Sequence, residues 1–156
     1  MAENSFPKVL ISNESKLVRE SLSREFINNY KVNWIPTTNE KLLDIFLKNP
    51  EDYAAIIMNA TWIVPESFSY AEKRESNGGL STWYVIIDKI RAGEMNQNPE
   101  IPIILYNKNT MDRQLDENTR YISCPELTEK IFLVLMDMWN ERSNLDKPCD
   151  DQEINR

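Results

Sequence analysis

Tyr53-Ala-Ala-Ile-Ile-Met-Asn59 is the stretch on which the reading of the chain turns. Residues 54–58 are apolar without alternation and are closed by a polar residue, the pattern of a short strand covered on both faces by helices. Four other segments share this character: Val9 to Ser12, Val32 to Ile35, Ile101 to Tyr106 and Arg120 to Ser123, each bounded by polar residues or proline. Amphipathic stretches of helical period lie between them, and that alternation predicts a parallel sheet with helices on both sides.

The helices can be placed from caps and stripes. The first is expected from Ser15 to Asn28, with Val18, Leu22 and Phe26 facing the sheet and Leu17 beside them. Thr37-Thr38-Asn39-Glu40 has capping-box spacing, so the second should open at Thr37, carry Leu42, Ile45 and Phe46 inward, and stop before Pro50. A third is expected from Thr82 to Ala92, with Trp83, Ile86, Ile87 and Ile90 on one side and Gly93 placed for a left-handed cap. Between Asn107 and Tyr121 there is room only for a shortened fourth helix, at about Met111 to Leu115. The last should run from Glu126 to Arg142 behind Pro125. Right-handed crossovers then give a doubly wound sheet of order 2-1-3-4-5, whose site lies at the carboxyl ends of the strands.

Composition narrows the classes of function. The chain has 156 residues, 41% of them apolar, enough for one core, which is expected to span residues 1–143 with 144–156 as a polar tail or linker. No apolar run approaches the roughly 20 residues of a membrane helix, and the first residues lack the pattern of a secretion signal. A cytoplasmic location is expected. With no histidine and only two cysteines, Cys124 and Cys149, neither zinc nor a disulfide framework is expected. A net charge of −7, with Lys and Arg scattered, disfavours nucleic acid and anionic membranes and leaves proteins as the expected partners.

At the strand ends the chain resembles the receiver domain of two-component response regulators. The resemblance runs from about residue 7 to residue 142 and implies a flavodoxin-like fold. Lys8-Val-Leu-Ile-Ser-Asn-Glu14 is similar to the family's first strand and its two acidic magnesium ligands. Tyr53 to Asn59 is similar to the third, which in the family ends in the phosphate-accepting aspartate. Ile101-Pro-Ile-Ile-Leu-Tyr-Asn107 resembles the fourth, which ends in a hydroxyl-bearing switch residue, and Tyr121-Ile-Ser-Cys-Pro125 the fifth with its Lys-Pro step. Every working position has changed. Asn59 offers an amide where an acyl phosphate needs an ionised carboxylate, Asn13 and Glu14 keep one acid between them, Asn107 replaces the hydroxyl and Cys124 the lysine. The resemblance therefore implies a degenerate phosphoacceptor pocket at Asn13, Glu14, Asn59, Asn107 and Cys124, with no catalytic residue, no metal and no cofactor. These residues read either as polar filler in a self-satisfied hydrogen-bond network or as the holders of a small ligand.

Two departures bear on partners. Residues 62–80 form an unusually long connection, with Pro65, Phe68, Tyr70 and Gly78-Gly79, that reads as a cover, a partner-binding loop or a mobile insertion. On the last helix Leu127, Ile131, Val134, Leu135 and Met138 form the inward stripe, while Phe132, Met136 and Trp139 widen the apolar arc beyond one sheet contact. That extension suits a signalling partner or a homodimer through the last helix, or aromatic rings folded back over the short fourth helix. The function expected is a phosphorylation-independent pseudo-receiver, not an enzyme. The alternative is a flavin or nucleotide binder of the same topology, for which a glycine-rich cradle after the first strand is lacking.

Overall fold

The structure, a computed structural model, describes residues 6–13, 15–48, 53–79, 81–106, 114–122 and 128–145. Strands β1 (Lys8–Ser12), β2 (Asn33–Thr37), β3 (Ala55–Asn59), β4 (Ile103–Tyr106) and β5 (Thr119–Ile122) form one sheet. All pairs are parallel and the order is β2-β1-β3-β4-β5, the doubly wound flavodoxin-like topology expected from the sequence. The helices are α1 (Lys16–Tyr30), α2 (Asn39–Lys48), α3 (Tyr70–Glu75), α4 (Thr82–Arg91) and α5 (Thr128–Leu145). Among the described residues, no helix is long and apolar enough to cross a membrane.

Burial on both sheet faces explains the unbroken apolar runs. Leu10, Ile56, Met58, Ile103 and Leu105 point to the α2 and α4 side, where Leu42, Trp83, Ile86 and Ile90 meet them. Val9, Ile11, Ile57 and Ile104 point to the other side, against Ile131, Leu135 and Met138 of α5, with Val18 of α1 packed alongside. The inward stripe read on α5 is thus in place for its described members, whereas Leu127 lies outside the described residues. Leu17 differs from its expected place beside the stripe. Ser15 caps α1 through a 3.3 Å bond from the Val18 amide, and that phase leaves Leu17 79% exposed. The side chains of Leu22, Phe26 and Phe46 lie outside the described set.

Element ends show where local signals held. Gly93 has φ 78°, the left-handed geometry expected after α4. Pro36 is tolerated within β2 because that strand is an edge. The α2 cap is displaced by one residue: Thr38 Oγ1 accepts from the Lys41 amide at 3.3 Å. Thr37 is committed to the sheet, where it pairs with Ser12 and its carbonyl accepts from the Asn13 amide at 2.9 Å. The fourth helix expected at Met111 to Leu115 falls mostly outside the described residues; Gln114 and Leu115 are not helical.

Candidate functional site at the carboxyl rim

The strand order places the crevice of the sheet between the carboxyl ends of β1 and β3, where the connections depart to opposite faces. Asn13 and Asn59 both lie there, as expected, but they do not bond each other directly. Their link runs through Ser12 and Tyr106. Ser12, the buried last residue of β1, accepts through Oγ from the Asn59 amide at 2.9 Å. Its carbonyl accepts a hydrogen bond from the phenol of Tyr106, and that phenol in turn accepts from Asn13 Nδ2 at 3.0 Å.

Tyr106 ends β4 opposite Asn59, and β3 lies between β4 and β1 in the sheet. Its side chain therefore passes the end of β3 to reach β1, and it is fully buried on the way. A buried phenol needs a polar partner, and the free carbonyl at a strand end supplies one. The tyrosine thus occupies the switch-point crevice with an aromatic ring and closes it with hydrogen bonds between uncharged groups.

The amides around the ring are engaged in local structure. Asn13 Oδ1 accepts from the Ser15 amide at 2.8 Å, an Asx turn leading into α1, and the Asn13 carbonyl accepts from Arg19 Nη1 at 2.6 Å. Asn59 Oδ1 accepts from the Thr61 amide at 3.0 Å, a second such turn leading out of β3. Asn39, buried at the start of α2, donates through Nδ2 to the carbonyls of Asn59 at 3.1 Å and Thr61 at 2.9 Å. The described rim holds backbone in place and presents no carboxylate nucleophile at position 59. Glu14, Asn107 and Cys124, also assigned to this pocket, lie outside the described residues.

Sequence reasoning placed Ser12 at the rim as the end of the first strand without giving it a role, and it passed over Asn39 and Tyr106. Tyr106 carried a usable signal: a phenol at the end of a strand buried on both faces must find an acceptor. Asn39 was read only as a member of a capping segment, and its role depends on α2 beginning beside the end of β3.

The two partner surfaces proposed from sequence divide into inner and outer parts. On α5, Phe132 stacks on Tyr30 of α1 with ring centroids 4.4 Å apart and planes 25° from parallel. Trp139 Nε1 donates to the Ala54 carbonyl at 3.2 Å. Both rings are half-buried against the α1 and α5 core, while Met136 is exposed together with Leu133; the fourth helix over which they were alternatively expected to fold lies mostly outside the described residues. Arg120 of β5 reaches Glu141 at 2.6 Å and Asp137 at 3.5 Å beside them.

In the long connection, Trp62 and Phe68 are buried in the α2 and α4 core, which anchors it there. Ser69 and Glu72 form a complete capping box for α3. Glu72 also holds Lys89 of α4 at 2.6 Å. The Lys89 hydrogen bond, aided by the Ser69 amide, keeps the Glu72 carboxyl below its usual range, and the same pair raises Lys89. Ile63 and Tyr70 face outward, 91% and 78% exposed. No protein-family model matches the chain, and no curated protein matches it by sequence.

Proposed function

We propose that the protein is a phosphorylation-independent pseudo-receiver, a cytoplasmic signalling domain related to the receivers of two-component phosphorelays, that acts by binding another protein and is not an enzyme. One observation carries this reading: Tyr106 fills the switch-point crevice and is bonded to both Ser12 and Asn13. A phosphoryl group or a flavin phosphate seated at this point of the sheet would need the space of that ring, the Asn13 side-chain amide that is spent on Tyr106 and the Asn59 backbone amide that is spent on Ser12. Asn59, at the end of β3, has no carboxylate with which to form an acyl phosphate. What remains is shape: Leu133 and Met136 on α5, and Ile63 and Tyr70 on the connection after β3, are large apolar side chains turned to solvent.

The test is incubation of the full chain with acetyl phosphate and magnesium, followed by intact mass measurement. The mass is expected to stay unchanged. A gain of one phosphoryl group on a residue of the rim would overturn the reading.

A further inference from the structure

We propose that the groove between α4 and the segment leading into β5 receives an arginine side chain of a partner protein. The groove has a volume of ≈ 230 Å³ and runs between Trp83, Tyr84, Ile87 and Asp88 on one side and Gln114 and Leu115 on the other. That is below the ~300 Å³ at which small-molecule sites begin, and it suits one long side chain better than a cofactor.

Charge decides which side chain. The cation lining the groove, Arg91, is spent. Its Nε donates to Asp116 Oδ2 at 3.1 Å, its Nη1 to the carbonyls of Pro99 at 3.0 Å and Ile101 at 2.6 Å, and its Nη2 to the Asn118 carbonyl at 3.0 Å and Thr119 Oγ1 at 2.9 Å. A guanidinium has five N–H donors, so nothing of Arg91 is left for a ligand. Asp116 is matched in turn: Oδ2 also accepts from Thr119 Oγ1 at 2.9 Å, and Oδ1 accepts from the Asn118 amide at 2.7 Å. Asp88 is exposed and makes no ion pair among the described residues, so the described lining, with Asp88 and Asp116 against Arg91, carries one excess negative charge in a chain of net charge −7.

The walls favour a guanidinium over an ammonium. Trp83 and Tyr84 meet edge to face with centroids 5.9 Å apart, Tyr84 is half-buried, and Ile87 and Leu115 complete an apolar lining. A planar, weakly hydrated cation can lie against the half-buried Tyr84 ring while its donors reach a carboxylate; a compact, strongly hydrated one gives up more water to do so.

This inference gives the chemistry of the partner in the protein-binding role proposed above and rests on that reading, but the two fail separately: phosphoryl uptake at the rim would leave the groove untouched. The test titrates the full chain with Nα-acetyl-arginine N-methylamide and with its neutral citrulline analogue, followed by amide chemical shifts. Saturable shifts are expected at Tyr84, Asp88 and residues 114–116, with citrulline weaker by about fivefold, the size of an exposed cation–π contact joined to a surface ion pair. Asp88→Asn should weaken arginine toward the citrulline level by removing the ion pair while the ring contact remains, and Asp88→Glu should retain it. Equal binding of the two probes, no saturable shift, or indifference to Asp88→Asn would overturn the proposal. Self-association of the chain that Asp88→Asn abolishes would also overturn it, in favour of a second copy as occupant.

Discussion

The carboxyl rim and the connection after β3 lie in one chain and are held by opposite means. At the rim, Tyr106, Ser12, Asn13 and Asn59 are joined by bonds between uncharged groups, with the phenol fully buried. In the connection, α3 is tied to α4 by the ionised pair of Glu72 and Lys89, whose side chains remain 26% and 23% exposed. A neutral network buried in a crevice is indifferent to salt and to pH near neutrality, and it is costly to leave half-made. An ion pair in contact with water is screened and contributes little, but it titrates. The difference teaches that the carboxyl end of a doubly wound sheet can be closed by a neutral hydrogen-bond network while a pH-sensitive contact sits in a peripheral connection.

Substitution at Tyr106 should have the largest effect and separates the ring from its hydroxyl. Tyr106→Ala leaves a cavity in the crevice and is expected to lower unfolding free energy by about 3–5 kcal/mol. Tyr106→Phe keeps the ring but leaves the Ser12 carbonyl and the Asn13 amide without their shared partner, at about 1–3 kcal/mol. Denaturant unfolding checks both. Equal losses for the two variants would mean that the hydroxyl, not the packing, holds the rim.

The clasp of the connection should respond weakly and with a definite pH dependence. Glu72→Gln is expected to cost less than about 1 kcal/mol at neutral pH, because the pair is partly exposed and screened. The folded-state pKa of Glu72 lies below its ordinary 4.5, so its stabilisation is present above that value and is lost as the pH falls through the lowered one. Lys89 is raised above 10.5, so its share is full below that value and is lost as the pH rises through the raised one. The stability of the wild type should therefore fall more than that of Glu72→Gln on the acid side of 4.5, when both are measured by thermal unfolding across pH. Parallel acid limbs would remove the clasp from the account.

The same two regions mark what the sequence could reveal. Strand runs such as residues 54–58 are legible because burial on both faces leaves only apolar residues, and Ser15 and Gly93 are legible because one hydroxyl or one positive φ satisfies a helix end locally. The capping-box spacing to Glu40 favoured Thr37 over Thr38 as the α2 cap, and nothing local shows that the ladder claims Thr37. At the site, Asn13 and Asn59 were readable as strand-end residues. Tyr106 was readable only as a buried phenol in need of an acceptor; that the acceptor is the Ser12 carbonyl follows from the path its ring takes past the end of β3 in the assembled sheet. Trp62 and Phe68 were hidden for a related reason: an aperiodic segment gives no sign of which aromatic ring turns inward.

The occupation of the crevice by Tyr106 can be measured by nitrating the native protein with tetranitromethane and mapping modified tyrosines by mass spectrometry. Tyr70, 78% exposed, should be modified readily, whereas Tyr106, at 0%, should be protected until denaturant is added. Nitration of Tyr106 in the native protein at the rate of Tyr70 would contradict the account, because the crevice would then be open to solvent and available to a ligand.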